Sequence, residues 1–201
     1  MRRGEIPIAF SQGFSPHPKL AFASALPVGV TSSSEFMDIT LSEHMDISEL
    51  IGRFNAALPK GLSVKDAVSI DDNVPSLMSL IEKADYRVYV NISGLDYKQG
   101  INNFLLQPEI MIVKQGKKGP STVNLRDGIY DISIGSRDDQ ELFLSLRSGS
   151  TGNIKPETVV IELLKSMGVE NAVDIPMTIH RVGLYMEQDS KWVTPLALKR
   201  G

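Results

Sequence analysis

The residue types best suited to ligand binding lie together near the start of the chain. The segment Ser11–Lys19 reads SQGFSPHPK and contains Gln12, His17 and Lys19. Prolines on both sides of the histidine fix the backbone and remove two donors, so this segment should form a rigid loop between two extended pieces. Amide, imidazole and ammonium groups held close together suit contact with an anion or a nucleobase edge. We predict a binding site at these three side chains; the simpler alternative is a connecting loop whose histidine is only hydrated.

A second set of candidates is basic and lies in the second half of the chain. Lys117 and Lys118 occupy a glycine-flanked loop, Arg126 follows it, and Arg147 and Lys155 flank a loop rich in Gly, Ser and Thr. A proline suited to the first turn of a helix follows Lys155. Helix N termini present free amides, and glycine lets a phosphate approach the backbone. If these five side chains converge, they form an anion-binding track; each loop taken alone is more simply a solvated turn.

The sequence lacks the motifs of common catalytic sites. It contains no GxSxG elbow, no Walker A sequence and no GxGxxG, and the hydroxyl-rich stretch 31–34 has no obvious base near it in the sequence. His17, His44 and His180 are far apart and lack the spacing of metal ligands. The absence of cysteine excludes a thiol nucleophile, a disulfide and iron–sulfur ligation by this chain. We therefore predict no catalytic residue, no metal and no cofactor.

Several stretches resemble one bacterial family. The string QGFSPHPKLAFASALPVGV, followed by SSEFMDITL, is similar to the signature of the radical-SAM-linked family, uncharacterised proteins encoded beside or fused to a cobalamin-binding radical SAM protein. The usual form reads SQGFHPHPK, and Ser15 stands here in place of its first histidine. The shorter matches NAALPKGL, PSLM, KKG and RSG extend the resemblance over nearly the whole chain. The resemblance implies a radical SAM protein as partner, but no particular reaction.

Composition sets limits on the partners. The 201 residues are 42% hydrophobic and 22% charged, which is ordinary for a globular protein. The formal net charge is −3, so no overall field attracts nucleic acid or a membrane surface, and any anion binding must be local. We find neither an apolar run long enough to span a bilayer nor a secretory leader, and therefore expect a cytoplasmic protein without membrane association.

Hydrophobic patterning predicts a mixture of helices and strands. The first third follows the order β, β, α, β, with strands over 19–30, 35–41 and 62–70 and a helix over 47–58. Family members carry a further strand and helix ahead of this point, which would complete the βαββαβ order of a ferredoxin-like unit. The later part begins with a short helical segment over 75–83. It then predicts strands over 86–92, 110–114, 122–125, 129–134, 141–147 and 177–186, with helices over 96–106 and from Pro156 to Gly168.

We therefore predict an α+β fold of two tandem ferredoxin-like units, the first lacking its initial strand and helix. The units cover residues 1–73 and 74–201, with the break between Asp71 and Asp85. A missing strand leaves a sheet edge and apolar surface exposed. We accordingly expect self-association through the first unit.

These observations favour a non-catalytic accessory module that works with a radical SAM enzyme and presents an RNA or ribonucleoprotein substrate. The RNA hypothesis rests on the basic loops and on the use of ferredoxin-like units by RNA binders. One alternative is an enzyme or small-ligand binder with its site at the Gln12/His17/Lys19 loop. Another is an interaction protein whose sheet edge pairs with its partner.

Overall fold

The residues that the structure describes form four α-helices and ten β-strands, so the predicted α+β class is confirmed. A computed structural model describes residues 2–71, 73–116, 119–135, 140–150 and 152–198. The helices are α1 (Ile47–Ala57), α2 (Leu77–Leu80), α3 (Tyr97–Leu105) and α4 (Pro156–Ser166). The strands are β1 (Leu20–Phe22), β2 (Thr31–Ser32), β3 (Met37–Ile39), β4 (Lys83–Val90), β5 (Met111–Gly116), β6 (Gly119–Asn124), β7 (Ile129–Ile134), β8 (Glu141–Arg147), β9 (Met177–Gln188) and β10 (Lys191–Val193).

The central sheet has the spatial order β10-β9-β4-β8-β7, and every neighbouring pair in this order is antiparallel. The short strand β2 joins the sheet by pairing in parallel with β9. Two separate ladders, β1–β3 and β5–β6, lie outside the sheet. The sheet therefore combines strands that are distant in sequence, since β4 pairs with both β8 and β9.

Helices cover one face of this sheet. Alternate residues of the two central strands are buried and belong to one hydrophobic cluster with the inner faces of α3 and α4. The strand members are Ala84, Tyr86, Val88 and Val90 of β4 and Leu142, Leu144 and Leu146 of β8. The helical members are Tyr97, Ile101 and Phe104 of α3 and Val159, Val160, Leu163 and Leu164 of α4. Because strand side chains alternate between faces, the other residues of β4 and β8 lie on the side away from the helices.

A smaller apolar cluster holds the beginning of the chain. Leu50 and Phe54 of α1 are buried against Ile6, and Met37 and Ile39 of β3 pack around them. This cluster is separate from the main one. Ala23, the residue after β1, packs in the main cluster instead. The boundary expected near residues 71–85 stays a prediction.

The strand predicted over 62–70 is wrong. No regular structure is assigned there, and the reason lies in one side chain. The Asn55 side-chain amide donates to the Val64 carbonyl at 3.0 Å, while the Val64 amide donates to the Asn55 side-chain oxygen at 2.7 Å. A side chain thus satisfies the backbone groups that a neighbouring strand would otherwise bond.

The strand predicted over 19–30 is also much shorter in the structure, and part of the hydroxyl-rich stretch after it is a strand instead. The β1–β3 ladder covers only Leu20–Phe22. Thr31 and Ser32, predicted as a connecting turn, form β2 and pair with His180 and Arg181 of β9. The partners of Thr31 and Ser32 lie about 150 positions further along the chain. The local hydrophobic pattern around the two residues therefore does not predict this strand.

A buried ion pair joins the first part of the chain to the central sheet. Arg181 is 1% exposed, and its guanidinium donates to the two carboxylate oxygens of Glu35 at 2.8 and 2.5 Å. It also donates to Ser24, through both the hydroxyl and the carbonyl oxygen. Burial disfavours the charged guanidinium, but the hydrogen bonds and charge of Glu35, with those of Tyr86, leave the pKa of Arg181 raised. The contact with Glu35 therefore keeps the buried guanidinium of Arg181 positively charged.

Replacing Glu35→Gln should lower the free energy of unfolding by about 3 kcal/mol, because it leaves the buried Arg181 charge without a counter-ion. The matched control is Glu49→Gln, which removes the partner of Arg53 in an exposed pair on α1. We expect the control to cost about 0.3–0.5 kcal/mol. Urea unfolding of both variants measures the difference, and equal losses would contradict the role given to the buried pair.

Candidate functional site

The Ser11–Lys19 loop is a backbone-held turn with exposed side chains. The Ser11 amide donates to the His17 carbonyl at 2.8 Å, and the His17 amide donates to the Ser11 hydroxyl at 2.9 Å. Gln12, His17 and Lys19 are exposed, and no described residue hydrogen-bonds their side chains. Phe14 at the tip is fully exposed. The loop is ordered by its own backbone, and its predicted binding role stays a prediction.

Four of the five basic candidates fall into three groups. Lys117 and Lys118 lie outside the described residues. Arg126 uses its guanidinium to bind two backbone carbonyls, those of Leu105 and Ile129, each at 3.1 Å. Lys155 is exposed at the N-cap position of α4, where no side chain caps the helix. Arg126 is thus engaged in holding the turn between β6 and β7.

Arg147 lies among the elements that the sequence analysis singled out. It ends β8, and its side chain lies against Gly128, in the turn that begins with Arg126, and against Gly152, in the glycine-rich loop. The Lys114 ammonium donates to the carbonyl of Asn153, the residue after Gly152, at 3.4 Å, which brings the β5–β6 ladder to the same region. The structure therefore brings the turn that begins with Arg126 and the glycine-rich loop together around one arginine, with Lys114 of β5 close to the same loop.

Sequence reasoning missed the face of the central sheet that lies away from the helices. The residues on this face are Lys83, Asp85, Arg87 and Tyr89 of β4 and Glu141, Phe143, Ser145 and Arg147 of β8, of which Asp85, Glu141 and Ser145 are buried and the other five are at least partly exposed. We call the surface formed by these eight residues and their cross-strand neighbours the open face. The register sets Lys83 opposite Arg147, Asp85 opposite Ser145, Arg87 opposite Phe143 and Tyr89 opposite Glu141. The alternation in KADYRVYV and ELFLSLR was the signal that could have found it.

A closed polar network occupies the middle of the open face. The Lys83 ammonium donates to the Ser145 hydroxyl at 3.1 Å and lies 3.2 Å from an Asp85 carboxylate oxygen. The Ser145 hydroxyl in turn donates to Asp85. Burial raises the pKa of Tyr185, and the charge and hydrogen bonding of Asp85 raise it further. The Lys83 and Asp85 side chains both contact the Ser145 hydroxyl, so the three side chains join β4 to β8.

Aromatic rings lie over one end of the open face. The rings of Tyr130 and Trp192 are 5.5 Å apart although β7 and β10 stand at opposite ends of the strand order, so Trp192 reaches across the sheet. The Lys83 ammonium lies 4.6 Å from the centre of the Tyr185 ring and 5.6 Å from that of Trp192. Tyr130 and Trp192 remain 45% and 39% exposed. This end therefore combines cations with accessible aromatic surface.

Arg147 completes this end of the face. No residue that the structure describes forms a hydrogen bond or an ion pair with its guanidinium, and its Nε is buried. Burial raises the pKa of Tyr130, while the positive charge of Arg147 acts to lower it and the carboxylates of Glu82 and Glu187 act to raise it. The next residue, Ser148, is 1% exposed and has an unpaired hydroxyl. A buried polar group without a partner costs about 1–3 kcal/mol, so two in succession at one strand end require an explanation.

A Ser–His arrangement occurs at the edge of the sheet. The two ring nitrogens of His180 lie 2.8 Å from the Thr31 hydroxyl and 3.2 Å from the Ser33 hydroxyl. His180 is therefore a base close to this hydroxyl-rich stretch in three dimensions, although no obvious base lies near it in the sequence. However, the Ser33 amide donates to the Arg181 carbonyl and the Ser34 amide donates to the Ser32 hydroxyl. Both amides are thus engaged within the fold, and the two contacts of His180 join β2 and the residue after it to β9.

The residues that the structure describes were compared with the requirements of a metal site and of a membrane-spanning helix. They contain no group of three or more His, Asp or Glu side chains able to hold a metal ion. None of their helices has the length and apolar character needed to cross a membrane. Together, the fold and the open face define an α+β protein whose central sheet carries helices on one face and aromatic and charged side chains on the other.

Residues 1–156 match a family described as uncharacterised proteins conserved in bacteria (DUF2344). Because this match covers more than half of the chain, the protein belongs to this family. A search of the curated proteins found no match.

Replacing Gly149→Ala should destabilise the loop that follows Arg147 and Ser148. Gly149 has φ +109°, and an added Cβ would overlap the Ile81 carbonyl oxygen, which is part of the backbone and cannot rotate away. We expect a loss of at least about 2 kcal/mol in the free energy of unfolding. The matched control is Gly168→Ala, where φ is +81° but no atom lies within 4 Å of the added Cβ. The control should cost about 1 kcal/mol from backbone strain alone, and equal losses in urea unfolding would contradict the packing described.

Proposed function

We propose that this protein is a non-catalytic accessory module that binds single-stranded RNA on the open face and works with a radical SAM enzyme. The observation that carries the RNA proposal is the pair of aromatic side chains on the two central strands, Tyr89 and Phe143, on a face that the helices do not cover. Four-stranded sheets of mixed α+β units bind single-stranded RNA by stacking bases on aromatic residues of this kind.

The spacing of the two rings suits stacking. Tyr89 lies opposite Glu141 and Phe143 lies opposite Arg87, so the two aromatics are diagonal neighbours on adjacent strands. Diagonal neighbours on one face are about 7–8 Å apart, close enough for two adjacent bases of one strand. Tyr89 remains 39% exposed although its hydroxyl donates to Gln140. Its ring therefore remains accessible to a base.

The charge on the open face favours modest rather than strong phosphate attraction. Arg87 lies beside Tyr89 and Phe143, but its Nε is 3.4 Å from a Glu141 carboxylate oxygen. The chain as a whole carries a net charge of −3. Stacking, which tolerates any base, would supply most of the affinity.

We also propose that residues 74–201 form a ferredoxin-like unit, and that residues 1–73 form an incomplete one. For the second unit, the chain order β4-α3-β7-β8-α4-β9 yields the spatial order β9-β4-β8-β7 with antiparallel neighbours, which is the βαββαβ pattern. The β5–β6 ladder is an insertion between α3 and β7. For the first unit, the support is the β1–β3 ladder with α1 packed on its own small cluster.

The radical SAM partnership rests on the sequence resemblance, and the expected self-association rests on exposed apolar surface. With no cysteine in the chain, the iron–sulfur cluster of such a partnership would belong to the enzyme. Large apolar side chains are exposed throughout the first unit: Phe10, Phe14, Leu20, Phe22, Leu26 and Val28. This surface supports the prediction that the first unit associates with another chain.

Replacing Tyr89→Ala or Phe143→Ala should weaken binding of an RNA of about 12 nucleotides by 1–3 kcal/mol each, because each removes one stacking surface. The matched control is Phe14→Ala, which removes an exposed aromatic from the Gln12/His17/Lys19 loop instead. Fluorescence anisotropy of labelled RNA at low salt measures the affinities, and the emission of Trp192, the one tryptophan of the sequence, reports that each variant is folded.

The control also tests the alternative site. Loss of binding in Phe14→Ala, with wild-type affinity in both sheet variants, would move the site to the loop. A folded wild-type protein that binds no RNA at low salt would reject the RNA proposal altogether.

A further inference from the structure

The arginines on the described part of the chain differ in their partners. The guanidinium of Arg181 binds Glu35, that of Arg87 faces Glu141, and that of Arg53 binds Glu49. Arg126 is held by two backbone carbonyls. Arg147 is partly buried and has no such partner among the described residues. A partly buried cation that no described residue pairs is a candidate for binding an anionic ligand, because buried charges are usually paired.

Two glycines pack closely against the guanidinium of Arg147. A Cβ added at Gly152 would stand 3.2 Å from Nε and 3.6 Å from Nη2, and one added at Gly128 would stand 3.1 Å from Nε. The Nε atom is therefore buried, and a ligand must reach the guanidinium through its terminal nitrogens. Planar guanidinium groups bind phosphate oxygens through paired N–H donors.

The position of Arg147 relative to the rest of the open face also suits a nucleotide chain. It lies directly opposite Lys83 and on the same strand face as Phe143, four residues earlier in β8. Residues two apart on one face of a strand are separated by about 6.6–6.8 Å, so four residues span about 13 Å, roughly two nucleotides of an extended strand. A base stacked on Phe143 therefore leaves a phosphate of the same strand within reach of Arg147.

We propose that Arg147 binds a phosphate group of the RNA strand that lies on the open face, an inference that rests on the proposed function. The phosphate takes the place of a carboxylate partner at the terminal nitrogens of the guanidinium, with Tyr130 and Trp192 flanking it. Two carboxylates, Glu82 and Glu187, act electrostatically on Tyr130 and therefore oppose an anion at this place. The site therefore favours a phosphate that forms direct hydrogen bonds with the guanidinium over an anion that is attracted by charge alone.

The test is a salt titration of RNA affinity with four variants. Arg147→Gln should weaken binding about fivefold at about 50 mM salt and about twofold at about 200 mM, because one phosphate contact to a single strand contributes about 0.7 to the slope of log affinity against log salt. Arg147→Lys keeps the charge and should restore the slope while leaving affinity below wild type. Glu187→Gln removes an opposing charge and should strengthen binding about twofold. Arg53→Gln, on α1 far along the chain, should match wild type.

RNA with and without a 5′ phosphate separates the two sources of the group. If the loss in Arg147→Gln occurs only with the 5′-phosphorylated strand, the residue binds a terminal phosphate; if it occurs with both, it binds the backbone. Either result supports the proposal. A wild-type slope in a folded Arg147→Gln variant overturns it, while weakened binding in Tyr89→Ala in the same titration leaves the proposed function standing. Wild-type protein that binds no RNA overturns both.

Discussion

Side-chain alternation along β4 and β8 is the constraint on which the rest of the structure depends. The inward residues of both strands are aliphatic, apart from Tyr86, and join the inner faces of α3 and α4 in one cluster. The outward residues are charged, hydroxylic or aromatic. A slip of one residue in register would exchange the two sets, placing Asp85 and Ser145 in the apolar cluster and Val88 and Leu144 on the open face. The pattern that stabilises the core therefore also determines which side chains meet on the open face.

Polar side chains on the two faces of the central sheet differ in the partners that satisfy them. On the helix side, the charge of Arg181 is matched by Glu35, and this pair fastens the start of the chain to β9. In the middle of the open face, Lys83, Asp85 and Ser145 satisfy one another. Among the described residues, the buried polar atoms that lack a hydrogen-bond partner are the Tyr97 hydroxyl on α3 and, side by side at the end of β8, Arg147 Nε and the Ser148 hydroxyl. Unsatisfied groups that cluster in one place, in a fold that pairs its other buried charges, are typical of a functional site.

Much of the second half of the fold follows from the sequence, and the reasons are local. The strand at 141–147 and the helices at 97–105 and 156–166 agree with their predicted positions because period-2 and period-3.6 patterns act within one element. The strand expected over 62–70 fails because Asn55, outside it, bonds its backbone. β2 and the contact between Tyr130 and Trp192 depend on partners far along the chain. The sequence did indicate Arg147 as a candidate, because it precedes a glycine-rich loop. Its surroundings on the open face could not be predicted, because they depend on which strands pair with β8.

The surface that RNA contacts is the most direct test of the proposed binding on the open face. Backbone amide chemical shifts of the ¹⁵N-labelled protein, recorded with and without a single-stranded RNA of about 12 nucleotides, locate that contact without any substitution. We expect the largest changes in β4 and β8, extending to Gly128 and Gly152 around Arg147. Changes confined to the Ser11–Lys19 loop, or to the solvent side of α3 and α4, would contradict the account.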